Sequence, residues 1–280
     1  MTNKCNQVST ETIEPGAASG VVTTYLYDGY GNKRSASTAN YPGATGNAVL
    51  AARASSSTHA AQMVTVAGVA VTTPAGTFPM QSSNALNQSE TRSFDPRFGA
   101  ALSLTGPNGL ATAWQLDEFG RTVQEMRADG TRTVTAYCFI GAVVADTSSN
   151  SAGCPAPAPA EVPARAASFT HVEPRNAANV KNASFVRTYF DGKGRKLRTV
   201  SEASDGGSQP RLVAEDSDYN AQGAVIVTTQ PYFLDTHAST STGSNTYPMR
   251  ASTYDVLGRT TAVYVTDAKG TQGAAAFGAR

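Results

Sequence analysis

One short phrase returns along this 280-residue chain and leaves its backbone few options. An aromatic residue precedes Asp, two variable residues follow, then Gly, and often Arg or Asn. The phrase reads Tyr27-Asp28-Gly29-Tyr30-Gly31-Asn32, Phe190-Asp191-Gly192-Lys193-Gly194-Arg195 and Tyr254-Asp255-Val256-Leu257-Gly258-Arg259. Leu116-Asp117-Glu118-Phe119-Gly120-Arg121 lacks the aromatic, and Tyr219-Asn220-Ala221-Gln222-Gly223 has Asn for the acid. Phe94-Asp95-Pro96-Arg97-Phe98-Gly99 is a looser copy with its Gly one place late. Asp or Asn at the first position of a β-turn accepts a hydrogen bond from the backbone two residues on, and Gly is favoured at the fourth. A type I turn followed by a left-handed residue closes a hairpin with a glycine bulge. Each copy is therefore expected to be a hairpin tip, its aromatic supplying a flat side chain for cross-strand stacking.

Turns of a second kind sit between these tips: Gly106-Pro107-Asn108-Gly109, Asp129-Gly130 and Lys269-Gly270. Asn-Gly and Asp-Gly are the strongest two-residue hairpin signals. Around the clearest stretch the sequence predicts strands at 111–116, 121–128 and 131–137, rich in Thr, Val and Tyr as a pleated surface prefers. Their two faces differ little: Thr122, Gln124 and Met126 share one, Val123, Glu125 and Arg127 the other. Neither is apolar enough for a dense sandwich core. Composition agrees, with charged residues at 15% of the chain against a typical ~25%. The expected fold is all-β, an antiparallel array of hairpins.

As a set, these units resemble the rearrangement-hotspot (Rhs), or tyrosine–aspartate (YD), repeat family. That family includes bacterial polymorphic toxins, the shell components of insecticidal toxin complexes and the animal teneurins. The likeness is densest from Phe94 to Tyr137, returns from Phe190 to Gly270, and has an isolated copy at Tyr27 to Asn32. Leu116, Asn220 and the late Gly99 depart from the pattern. The resemblance implies a curved sheet spiralling into part of a hollow shell around another polypeptide. Each hairpin would lean on its neighbours, as in other repeat arrays. Full-length toxin relatives end in a self-cleaving core with Asp-Pro-x-Gly-Leu-type motifs, then a variable toxic domain. Asp95-Pro96 lies inside a repeat and lacks the rest of that motif, so no protease residue is carried over.

Between the repeats the composition shifts. Residues 1–20 are expected to be poorly ordered, 21–137 to be repeat hairpins with an insertion near 40–92, and 186–270 to be repeat hairpins again. The insertion has a possible strand pair, 62–67 and 69–73, around Gly68. Residues 271–280 read as a linker toward a further repeat. Residues 138–185 read as a Pro/Ala-rich insertion, because CPAPAPAEVPARAA excludes a ladder strand. Cys138 and Cys154 bracket its Gly/Ser/Pro-rich start. A bridge between them would close a loop worth ~3 kcal/mol by chain entropy; two free thiols are the alternative. Cys5 has no obvious partner.

Catalytic, cofactor and metal sites are not expected. His59, His171 and His237 fall in polar, loop-like contexts with no second His or carboxylate at metal spacing. Gly29-x-Gly31 and Gly192-x-Gly194 lack the third glycine of a dinucleotide loop. Asp28, Asp117, Asp191 and Asp255 are more economically turn-capping groups. A net charge of +1 argues against a nucleic-acid partner, and no stretch approaches the ~20 apolar residues of a membrane helix. No signal peptide is visible in MTNKCNQVSTETIEPG. The chain is expected to be a non-catalytic wall piece of a secreted or surface-delivered bacterial protein. Its partners would be the remaining repeats, of its own or a neighbouring chain, and an enclosed toxic domain. The competing expectation is an adhesion module, with Trp114, Tyr232 and Phe233 exposed as a carbohydrate or receptor platform.

Overall fold

Strands as rich in Thr and Ser as these depend heavily on their backbone ladders. A computed structural model describes residues 7–15, 19–42, 51–66, 68–140, 153–204, 210–234, 249–265 and 277–278. Among these the secondary structure is strands plus one 3-10 turn at Pro159–Glu161, and every named pairing is antiparallel. No helix among the described residues is long and apolar enough to cross a membrane. The chain divides into two units, Met1–Asp129 and Gly130–Arg280.

The first unit contains β1 (Thr10–Ile13), β2 (Val21–Tyr27), β3 (Lys33–Asn40), β4 (Arg53–Thr58), β5 (Gln62–Val66), β6 (Val69–Thr73), β7 (Gln81–Ser83), β8 (Ser89–Phe94), β9 (Ala101–Thr105), β10 (Ala111–Leu116) and β11 (Thr122–Met126). Its ladder runs β1-β2-β3-β4-β7-β8-β9-β10-β11, each strand beside its chain neighbour except where β5 and β6 leave as a separate hairpin. Two expectations need correction here. The first twenty residues are not uniformly disordered, since β1 pairs Thr10 with Thr24 through to Ile13 with Val21. All four β1 side chains are exposed, so backbone hydrogen bonds hold it, and no hydrophobic pattern could announce it. The 40–92 insertion likewise contributes β4, β7 and β8 to the main ladder, leaving the hairpin at Gly68 as its excursion.

The second unit contains β12 (Arg132–Phe139), β13 (Ser168–Arg175), β14 (Val186–Phe190), β15 (Lys196–Ala203), β16 (Arg211–Tyr219), β17 (Val225–Thr229), β18 (Tyr232–Phe233), β19 (Met249–Tyr254), β20 (Thr260–Val265) and β21 (Phe277–Gly278). Strands β12 to β16 pair in sequence; β16 then pairs β17 with its C-terminal end and β18 with its N-terminal half. The ladder continues β17-β19-β20-β21. The Pro/Ala-rich insertion is narrower than 138–185, because β12 runs to Phe139 and β13 is a ladder strand. Pro174 is tolerated in β13 because its ring nitrogen faces the Asn182 side, beyond the last β13–β14 pair at Val172 and Val186. Residues 277–278 are also more than linker, since they pair with β20. The turn at Lys269-Gly270 lies outside the described residues.

The expectation of no dense core fails in this unit. Val134, Ala136, Cys138, Phe169, Tyr189, Val200, Ala214, Tyr232 and Leu234 form one buried cluster. The proline-rich segment packs Val162 and Ala166 against it. A face that looks too polar as a strand becomes a core once covered.

Candidate functional site: the repeated turns and the proline-rich clasp

The recurring phrase closes one repeated structure. In the Asp117 turn the Asp117 N–H donates to the Arg121 carbonyl (2.9 Å) and the Gly120 N–H to the Asp117 carbonyl (3.1 Å). Asp117 Oδ1 accepts the N–H of Phe119 and of Arg121, both at 2.9 Å, and Oδ2 accepts Arg121 Nε at 2.6 Å. Asp191 repeats this with Lys193 and Arg195, and Asp255 with Leu257 and Arg259. Asp28 takes the N–H of Tyr30 and Asn32, with the Asn32 amide replacing the guanidinium. Asn220 keeps the backbone pattern and one side-chain bond, from Ala224 N–H at 2.8 Å. The late glycine of the Asp95 turn widens it by one residue, with Gly99 N–H still reaching the Asp95 carbonyl and Arg97 folding back onto a fully buried Asp95.

Two consequences follow for the backbone. The ladder slips at the residue before each acid or amide, namely Tyr27, Phe94, Leu116, Phe190, Tyr219 and Tyr254. The closing Gly31, Gly99, Gly120, Gly194, Gly223 and Gly258 all have positive φ, from +67° to +96°. That is the left-handed residue and bulge such a hairpin requires. Gly106–Leu110 uses the same backbone closure, so it is not a turn of a different kind. Two further copies escape the sequence pattern because Asn replaces Gly. Asn84 receives the N–H of Leu86 and Gln88, with Asn87 at φ +56°. Asn176 receives the Val180 N–H, with Asn179 at φ +63°. Asn tolerates this region better than other non-glycine residues, which is the signal that would have found them.

The aromatic before the acid does something other than stack. The hydroxyls of Tyr27, Tyr219 and Tyr254 each donate at 2.8 Å to a backbone carbonyl on the preceding strand side: Val8, Lys196 and Val225. Arg195 of one turn also lies over the Tyr219 ring of the next (4.9 Å). Phe94 does stack, on Phe78 at 4.9 Å.

Charge on these acids is well supported. Burial alone would raise the pKa of Asp28 and of Asp191, but the N–H donors of each turn outweigh it and hold both below the usual carboxylate range. Asp95 is held low first by the Arg97 side chain, and Asp255 first by the Arg259 N–H.

A second constellation lies under the proline-rich segment. On one face of the second unit two cross-strand rows stand side by side: Ala136, His171, Arg187, Val200 and Ala214, and Cys138, Phe169, Tyr189, Arg198 and Asp216. Residues 154–166 cover them. Glu161, buried, receives Arg187 Nη1 at 2.5 Å, the Tyr189 hydroxyl at 3.3 Å and its own Ala158 N–H at 2.9 Å. Arg198 is fully buried and grips Asp216 with Nε (2.5 Å) and Nη2 (2.8 Å), while Nη1 reaches the carbonyls of Ala160 (3.0 Å) and Glu161 (3.3 Å). Tyr232 accepts from Arg198 and donates to Asp216. Cys138 and Cys154 are joined by a disulfide, Cα to Cα 5.7 Å. These charges are all paired, which is what permits their burial.

His171 corrects an expectation: it is a buried strand residue, not a loop one. Arg187 Nε donates to its Nδ1 at 3.2 Å, and Nε2 lies 3.5 Å from Glu173. Burial and Arg187 lower its pKa against the pull of Glu173, so it is neutral at neutral pH. His59 also meets an acid, with Nδ1 3.9 Å from Asp28 Oδ2, beside an open cleft of about 770 Å³ lined by Tyr25, Tyr27, Tyr30 and Arg34. Asp28 is already committed there to closing its turn. His237 lies outside the described residues. Among the described residues no group of three or more His, Cys, Asp or Glu is placed to hold a metal ion. Sequence reading missed Glu161, Arg187, Arg198 and Asp216. The available signal was a lone acid between Pro159 and Pro163, and arginines spaced by two from Tyr189 and Val200.

No family model and no curated protein matches the chain. Solved structures do. A Photorhabdus luminescens Tc holotoxin pore carrying a TccC3 mutation matches at TM-score 0.52 and 13% identity, covering 90% of this chain and 11% of that one. A TcdB2-TccC3-TEV crystal structure matches at TM-score 0.49 and 12% identity, covering 87% and 18%. The chain therefore spans less than a fifth of either relative's length. At this identity the likeness is one of fold.

Proposed function

We propose that the chain is a non-catalytic wall segment of an Rhs/YD-repeat, toxin-like protein, its hairpins contributing to a shell that encloses a toxin or other polypeptide. The observation that carries this is the one turn geometry recurring at Asp28, Asp95, Asp117, Asp191, Asn220 and Asp255, each joining adjacent antiparallel strands. A wall built this way draws on its backbone ladders and, in the second unit, also on the one face that the proline-rich segment covers. The fold likeness to a Tc holotoxin chain supports the same reading. The repeated acids Asp28, Asp95, Asp117, Asp191 and Asp255 are engaged by turn N–H groups. On this proposal the partners are further repeats and an enclosed polypeptide, and the setting is secreted or cell-surface in a bacterium.

Of the three aromatics named for the adhesion alternative, none is fully exposed. Tyr232 is buried, Phe233 is half-buried beneath Arg211 (4.1 Å), and Trp114 is half-buried with its Nε1 toward Glu125 (3.4 Å). The test is electron cryo-microscopy of the chain expressed with its neighbouring coding sequence. A hollow shell with density inside supports the proposal. An open sheet with no enclosed polypeptide, or glycan binding lost on Trp114→Ala, contradicts it.

A further inference from the structure

We propose that Cys154 is a thiol–disulfide exchange site, and that its reduction lifts the proline-rich segment 154–166 off the sheet while the strands stay paired. This does not depend on the shell reading.

Three observations place the device. Cys138 is anchored, 3% exposed and paired with Phe169 near the C-terminal end of β12, whereas Cys154 is partly exposed at the start of the segment. The segment makes no ladder pairs; besides the packing of Val162 and Ala166 and the Arg165–Asp218 ion pair, it is held by the disulfide, by the buried Glu161 carboxylate and by Arg198 on the carbonyls of Ala160 and Glu161. Beyond the segment, Ala167 N–H donates to the Phe190 carbonyl and β13 begins, so lifting has a defined hinge.

Access decides which sulfur is attacked. A low-molecular-weight thiolate attacks Cys154 Sγ, forming a mixed disulfide there and breaking the bond to Cys138, which leaves as thiolate and takes a proton. A second thiol molecule attacks the exogenous sulfur of that mixed disulfide, so Cys154 leaves as a thiol too. Two Cys thiols and one oxidised disulfide of the reductant result, a two-electron exchange. Opening the 16-position loop then raises the lifted population about 150-fold, the equivalent of ~3 kcal/mol of chain entropy. Lifting uncovers Phe169 and Tyr189 and releases Arg187 Nη1 and Arg198 Nη1 from the segment, while Arg187 keeps His171 and Arg198 keeps Asp216 and Tyr232.

The test is limited trypsin digestion with and without a dithiol reductant. Arg165 lies within the segment, exposed but tied to Asp218, while Arg187 and Arg198 lie in buried strands. The oxidised chain should resist cleavage after Arg165. The reduced chain should be cut there at least 50-fold faster, with the bonds after Arg187 and Arg198 still resistant and with new binding of a dye that reports exposed apolar surface. The C138A/C154A double variant should behave as reduced with no reductant present. Equal cleavage after Arg165 in both redox states overturns the proposal. So does simultaneous cleavage after Arg165, Arg187 and Arg198, which would make the bond a staple of the whole sheet.

Discussion

The two units carry the same turns but are stabilised differently. Among the described residues, every buried apolar side chain lies in Gly130–Arg280. The buried side chains of the first unit are Thr73, Asp95 and Gln124. The first unit compensates along its tips, where rings lie on glycines. Tyr30 covers Gly76, Phe78 approaches Gly99, and Phe98 covers Gly120 so closely that an added Cβ would lie 2.6 Å from its ring. In the second unit nothing lies within 4 Å of a Cβ built on Gly194, Gly223 or Gly258. In the first unit these rings tie turns together; in the second, Arg195 over the Tyr219 ring does so with no ring on a glycine.

Removing the covered face's anchor should give the largest effect. Arg198→Met leaves Asp216 with only the Tyr232 hydroxyl and removes the Arg198 donor from the two clasp carbonyls, and should cost about 3–5 kcal/mol. Urea unfolding followed by hydrogen exchange should show the loss in the second unit and not in the first. Glycine substitutions sharpen the contrast next. Gly194→Ala should cost about 1–2 kcal/mol for its left-handed backbone, whereas Gly120→Ala should cost about 1–3 kcal/mol more for overpacking against Phe98. Adding Phe98→Ala should recover that excess, and a double-mutant cycle measures it. If the two glycines respond alike, the tip tiling is energetically idle.

Acid separates the units in a third way. His171 has a lowered folded pKa, so the unfolded chain takes its proton first and the second unit should lose stability as pH falls through about 6.5. The slope is at most ~1.4 kcal/mol per pH unit for one proton. The turn acids Asp28, Asp95, Asp191 and Asp255 have lowered pKa values. Their contribution is present above about pH 4 and is lost below it. The second unit should therefore decline between about pH 6.5 and 4, and His171→Gln should flatten that decline. The smallest change is Tyr254→Phe, which removes one exposed hydroxyl–carbonyl bond and should cost under ~1 kcal/mol in thermal unfolding.

What could be read in advance tracks how local the physics is. An acid and a glycine three places apart specify a turn within six residues, so those tips are legible in the letters alone. Asn84 and Asn176 close the same turn with a weaker signal, because Asn87 and Asn179 stand where the other copies have Gly. The pairing of β1 rests on ladder bonds that carry no side-chain pattern. The clasp is hardest to foresee: Glu161, Arg187 and Arg198 look like surface charges until three distant segments stack over one another. Prolines correctly exclude a strand there, but exclusion from a ladder does not say that the segment packs on one.

Amide hydrogen exchange at the capped positions tests the repeated turn most directly. The N–H groups of Phe119, Arg121, Lys193, Arg195, Leu257 and Arg259 should be protected despite the exposure of their loops. That protection should vanish locally on Asp117→Ala, Asp191→Ala or Asp255→Ala. Free exchange at these amides in the unmodified chain would contradict the claim that one folded turn is written repeatedly along it.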